Sequence, residues 1–372
     1  MRSAMNWIKL FVKLLFVMLV MLSCAAIIEF GLRTFYYNGN EDNYAGWNES
    51  KPKAFRNEAN FSDILKSLDG TCQFPAMTRK NGTSIFASDF SCGGVTYMNN
   101  KRLTLPIVSE WNKTIHIFGG STVMGVGSVD AFTIPSIIQM ELLNDQIRVL
   151  NYGVSSFVVR QQNDALKAFK GDIRKDDVVI YYDGGNDFWN GVMLGNFDGD
   201  MVGYNQKHKY QLFIFILRNW LSKNSKIYAL LSELRHNRKE QSDVCSVDSK
   251  IAAQRISQAA NHFSNKINEA REISETLGAE FFHFYQPTLF DSNVLTPYEE
   301  KIVSQNPCFS LAMPFKKVFD NIFLDVAKNS VDLSNILAGE DLFFDYIHVS
   351  SQANKLVSEI IVENIKENKL MN

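Results

Sequence analysis

Ser121, Asp345 and His348 have the types and the spacing for nucleophilic chemistry. Ser121 stands in IHIFGGSTVMGVG, where an apolar run from Ile115 to Phe118 breaks into Gly119 and Gly120 directly before the hydroxyl. A serine hydroxyl near neutral pH is a poor nucleophile until a base removes its proton, so it needs an imidazole that a carboxylate orients. Of the six histidines, His348 lies in FFDYIHVS with Asp345 three residues before it. That spacing on one turn lets the carboxylate orient the ring while the other ring nitrogen faces outward. Donors for a developing oxyanion are expected from the N–H of Ser121, from Gly153 in NYGVSS and from Asn186 in DGGNDFW.

The glycines around Ser121 do not fit a phosphate cradle. A P-loop needs a lysine after its last glycine, and none follows here. The dinucleotide fingerprint fails because Asp130 occupies its third glycine position. The G-x-S-x-G elbow fails as well, because Val123 stands at its last glycine.

The elements that must position these groups alternate along the chain. Short apolar runs predict strands at Lys113–Phe118, Arg148–Tyr152, Val178–Tyr182 and Glu280–Tyr285, with a weaker one near Val331–Leu337. Helical patterns fall at Ile134–Asn144, Val159–Phe169, Lys250–Leu277, around Phe315–Ala327 and at Ser351–Lys366. Such β-α-β alternation with nearly continuous apolar strands predicts a parallel sheet covered on both faces. Active sites in such sheets lie beyond the carboxyl ends of the strands, where Ser121, Gly153 and Asn186 all stand.

In order, FGGSTVMG, NYGVSS, DGGND and DYIH resemble the four blocks of the SGNH, or GDSL-like, hydrolase superfamily, over about Ile115 to Lys366. The resemblance implies a three-layer α/β/α sandwich with a mainly parallel five-stranded sheet. It implies Ser121 as nucleophile, His348 as base, Asp345 as the acid that orients it, and Gly153 with Asn186 in the oxyanion hole. One position departs: Gly120 replaces the aspartate of the Gly-Asp-Ser form. This GGS variant resembles membrane-anchored members associated with bacterial surface polysaccharides. Asp183, Asp187 and Arg160 are further candidates for substrate binding. No cofactor is expected, and no His/Asp/Glu group around Asp183 or Asp187 shows metal-ligand spacing.

Composition bounds the partners. Lysine plus arginine (38) nearly balances aspartate plus glutamate (40), so the net charge of -2 gives no general attraction to nucleic acid. An apolar fraction of 46% over 372 residues supplies a large buried core. At the N-terminus, Trp7 to Ile28 carries no charge except on Lys9 and Lys13, and its 22 residues make about 33 Å of helix, enough to span a bilayer. Arg2, Lys9 and Lys13 lead the segment, which places the N-terminus in the cytoplasm and the rest outside it, on the periplasmic side in a bacterium. Two other readings stay open: cleavage at Ser23-Cys24-Ala25, or lipid attachment at Cys24.

Cys72, Cys92, Cys245 and Cys308 have no C-x-x-C spacing, which favours disulfides; three connectivities are open, and proximity favours Cys72 with Cys92, leaving Cys245 with Cys308. The organisation expected is an anchor over 1–35, an irregular or β-rich lead-in over 36–112, and the catalytic domain over 113–372 with a helical insertion at about 188–248. The function expected is removal of acyl groups, chiefly acetyl, from an extracytoplasmic glycan. The alternatives are an O-acyltransferase acting on surface polysaccharide, or an idle anchored subunit that binds polysaccharide or assembly proteins.

Overall fold

The computed structural model describes residues 77–80, 83–86, 89–199, 248–304, 307–327 and 329–367. These fall in one unit, Lys51–Asp200 with Cys245–Asn372. The expected membrane span at 7–28, the residues 200–247 of the expected insertion, and Cys72 and Cys245 of the expected disulfides lie outside the described residues. Among the described residues no helix is long and apolar enough to cross a membrane.

Five strands build the parallel part of the main sheet: β6 (Lys113–Gly119), β7 (Ile147–Gly153), β8 (Val178–Asp183), β9 (Glu280–Tyr285) and β10 (Ser330–Asp332). They stand in the order β10-β9-β8-β6-β7. Along β8 every residue is buried, and successive side chains enter opposite layers. Val179 and Tyr181 join one core, while Val178, Ile180 and Tyr182 join the other. The first core is closed by α3 (Val159–Ala168), α5 (Ser249–Thr276) and α7 (Pro307–Val326), the second by α2 (Ile134–Glu141) and α8 (Ser351–Glu367). Burying each large apolar side chain in these layers stabilises the fold by about 1.5–3 kcal/mol.

The sheet has eight strands, not the five expected. Three short antiparallel strands, β3 (Phe90–Cys92), β4 (Val95–Met98) and β5 (Lys101–Arg102), extend it beyond β7. They arise from the stretch read as lead-in, and a separate hairpin joins β1 (Met77–Lys80) to β2 (Thr83–Phe86). Two to four residues between Gly and Asn turns carry too little periodicity to mark a strand in the sequence. Only the pairing of Arg102 with Asn151 fastens β5 to β7. The guanidinium adds the remaining hold: Arg102 is 2% exposed, and it donates to Asp130 (3.1 Å), Gly125 O (2.7 Å) and Ser128 O (2.6 Å). The glycine loop after Ser121 thus presents carbonyls to a buried cation, the opposite of a phosphate cradle.

β6 is the topological switch point. β7 lies on one side of it and β8 on the other, so the loops that leave β6, β7 and β8 diverge at their carboxyl ends and open a crevice there. Behind that crevice β9 is locked to α7 by a buried ammonium. Lys316 Nζ lies 2.6 Å from Asp291, 2.7 Å from Asp320 and 3.0 Å from Tyr285 OH. Lys316→Met would leave two carboxylates facing each other without a counter-charge. A loss of about 3–5 kcal/mol in unfolding free energy is expected, seen as a lower denaturation midpoint, and an unchanged midpoint would refute the locking role.

Candidate active site

Ser121 opens α1 (Ser121–Met124), two residues beyond the end of β6, and the residue is 6% exposed. His348 reaches it from the loop before α8: Nε2 lies 2.8 Å from Ser121 Oγ. Asp345 Oδ2 lies 2.7 Å from His348 Nδ1. The other carboxylate oxygen, Oδ1, accepts from the N–H groups of Ile347 (2.9 Å) and His348 (2.8 Å). The loop is braced by Phe344 N–H on His348 O (2.7 Å) and by a bridge between Phe343 and Val349.

Burial alone would raise the Asp345 carboxyl, but the hydrogen bond and the charge of His348 and the two backbone N–H groups outweigh it and hold the group below the usual carboxylate range. An ionised carboxylate only accepts, so Nδ1 must donate to it; a neutral ring then offers Nε2 as the acceptor for the serine proton. The three side chains thus have the arrangement required of nucleophile, base and orienting acid.

Asn186 lies in α4 (Gly185–Phe188), directly after β8, and its Nδ2 donates to Phe157 O at 3.0 Å. One amide hydrogen is left over. A Cβ added to Gly120 would stand 2.5 Å from that Nδ2, so the amide is packed against the residue before the nucleophile. In this chain no side chain fits at position 120 while Asn186 holds its place.

Gly153 does not supply the expected oxyanion donor. Its N–H is spent on Asn151 Oδ1 at 2.9 Å. What the position requires is space, because a Cβ there would stand 2.1 Å from Met124 N in α1. Three residues on, Ser156 sits at φ 64°, in the left-handed region, and is exposed. It precedes Phe157, whose carbonyl Asn186 grips. Residues other than glycine enter this region at a cost of about 1 kcal/mol, and a serine there carries no sequence signal as a glycine would have.

Two other groups hold α1. Thr122 Oγ1 donates to Gln286 Oε1 (3.0 Å), which ties α1 to the end of β9; Gln286 is 2% exposed. Asn151 Nδ2 donates to Val123 O at 2.8 Å.

The three further candidates for substrate binding have other tasks. Asp183 is 2% exposed and receives His283 Nε2 at 3.0 Å. Asp187 accepts from Val159 N–H at 3.0 Å, which fixes the start of α3, and burial together with the Asp183 charge pushes its carboxyl well up. Arg160 is engaged on the α3 surface, 2.7 Å from Asp164 and 2.8 Å from Asp198 O. None of these contacts involves the triad. Among the described residues no group of three or more His, Cys, Asp or Glu side chains is placed to hold a metal ion.

No protein-family model and no curated protein matches the chain. Among solved structures it is similar to a lipolytic protein of the G-D-S-L family from Veillonella parvula DSM 2008, at 12% identity and a TM-score of 0.37, over 68% of this chain and 99% of that one. It is similar to a carbohydrate acetylesterase from Sinorhizobium meliloti at 11% identity and a TM-score of 0.36, over 69% and 99%. An acetylxylan esterase from Geobacillus stearothermophilus matches at 12% identity and a TM-score of 0.34, over 70% and 96%. The functional reading rests on the geometry of the triad and not on these likenesses.

Proposed function

We propose that the chain is a serine esterase that removes acyl groups, acetyl in the first instance, from an extracytoplasmic glycan. The observation that carries the proposal is the unbroken relay from Ser121 Oγ to His348 Nε2 (2.8 Å) and from Nδ1 to Asp345 (2.7 Å). As Oγ attacks the ester carbonyl, Nε2 takes its proton; the sugar oxygen then leaves with that proton and an acyl-serine forms. Water attacks the acyl-serine with the same imidazole as base, releasing the acid and restoring the hydroxyl. The developing oxyanion is met by the N–H of Ser121, unpaired at the first turn of α1, by the second hydrogen of Asn186 Nδ2, and by the N–H of Ser156 in place of Gly153.

The glycan and the location draw support from two features. Trp189 and Tyr346 are part-exposed rings 5.4 Å apart, and Tyr346 is two residues from His348, which gives the site an amphipathic wall. The apolar run Trp7–Ile28 supports anchoring with the domain outside the cytoplasm. An O-acyltransferase differs only in whether a sugar hydroxyl or water reaches the acyl-serine, and an idle subunit has no need of a triad in hydrogen-bond contact.

A fluorophosphonate probe should label Ser121 in the detergent-solubilised full-length chain and leave Ser121→Ala unlabelled; absence of label on the unaltered chain would sink the proposal. Incubation of the enzyme with an acetylated glycan should then release acetate. Acetyl recovered instead on an added glycan acceptor would assign the transferase.

A further inference from the structure

On the side away from β6, the half of β7 nearest its start has no described strand beside it, since β5 pairs with β7 only at Asn151. Gln139 takes the place of the missing strand: its Nε2 donates to Ile147 O (2.8 Å) and its Oε1 accepts from Val149 N–H (2.7 Å). The backbone there is therefore satisfied, and the cleft of about 520 Å³ alongside it offers side chains rather than a strand edge.

Those side chains include donors without acceptors. Arg148 Nε and Thr104 Oγ1, both from residues that line the cleft, are buried atoms with no hydrogen-bond partner among the described residues. The Arg148 guanidinium lies 3.8 Å above the ring of Trp111, whose own Nε1 is buried and unpartnered. Its one side-chain bond is a long one, from Nη2 to Thr114 Oγ1 at 3.4 Å, and no described carboxylate forms an ion pair with it. Of the other charged groups that line the cleft, Lys101 is paired with Asp172 (3.0 Å) and Arg102 with Asp130 (3.1 Å), while Arg174 is exposed.

We propose that this cleft is a second binding site, for an anionic oxygen group, carboxylate or phosphate. A water molecule would satisfy one donor and leave the guanidinium charge uncompensated, whereas an oxyanion does both. Stacking on Trp111 holds the fork in one plane, so the ligand meets an arginine already ordered for paired hydrogen bonds. Arg148 and Gly153 are at opposite ends of β7, about 17 Å apart at roughly 3.3 Å per residue. The ligand therefore does not touch the triad, and the proposal does not depend on the esterase reading.

The test is calorimetric titration of the full-length chain in detergent with D-glucuronate, glucose 6-phosphate and glucose. Saturable binding of either anion is expected, weaker in high salt, with none for glucose. Binding of glucuronate alone would assign a carboxylate, and binding of the phosphate alone would assign a phosphate. Arg148→Gln should weaken the binding by about tenfold or more. Should that variant fail to fold, Arg148→Lys carries the test in the same direction, because it keeps the charge and loses the paired donors of the fork. Binding of neither anion, equal binding of glucose, or undiminished affinity in the folded variant would overturn the site.

Discussion

Ser121→Ala and His348→Ala are each expected to lower kcat for ester hydrolysis by about 10⁴-fold or more, with little further loss when the two are combined. Without the hydroxyl no acyl-serine forms. Without the imidazole at 2.8 Å the hydroxyl keeps its proton, because nothing else described as contacting Ser121 Oγ is a base. The two residues perform one step, so their losses should not add. Thermal unfolding should change little, since Ser121 Oγ and the His348 ring engage each other and Asp345 rather than the core. Turnover of p-nitrophenyl acetate by the purified variants measures this. Variants that keep more than about a hundredth of the wild-type rate would point to another nucleophile.

The Asp345 carboxyl contributes to the same step through its sign. Its folded-state pKa is depressed, so its hold on His348 is complete above the ordinary carboxylate range and is lost only as the pH falls below it. Acid inactivation above that range should therefore not arise from Asp345.

Gly153→Ala is expected to cost both stability and rate, although Gly153 touches no substrate in this reading. The added Cβ would stand 2.1 Å from Met124 N, 2.6 Å from Val123 C and 2.7 Å from Met124 Cα, all backbone atoms that no rotamer change can move aside. α1 must shift away from β7, and Ser121 begins that helix. Overpacking of this kind costs about 1–3 kcal/mol, and a displacement of about 1 Å at the nucleophile can cost about 10² in kcat. Gly120→Ala supplies the contrast. Its Cβ would meet Asn186 Nδ2 at 2.5 Å, the far end of a side chain that can swing away once its bond to Phe157 O is given up. The fold should survive there, while loss of one oxyanion donor lowers kcat by about 10²–10³. Equal melting temperatures for wild type and Gly153→Ala would contradict the close approach of β7 to α1.

The alternation of apolar runs made the parallel strands and their covering helices legible, because burial on both faces leaves a continuous hydrophobic signature. Ser121 and the Asp345–His348 pair were legible for a different reason: their chemistry demands particular side chains, and a three-residue spacing is enough to join an acid to an imidazole. Asn186 was legible from its place directly after β8. By itself, then, the sequence determined the class of fold and picked out the serine, histidine and aspartate that the structure brings into contact.

The tertiary structure decided which strand-end donors are free. The amide of Gly153 is consumed by Asn151, two residues away, and Ser156 takes an αL conformation that only its neighbours impose. It decided that Asp183 and Asp187 are buried supports, since a carboxylate reads the same in sequence whether it faces solvent or His283. It decided too that β3, β4 and β5 belong to the sheet, because strands of two to four residues are held by pairing and by a buried Arg102 rather than by their own periodicity. Side-chain chemistry is local and is written in residue types, whereas the occupancy of a hydrogen-bonding group depends on what the fold brings against it.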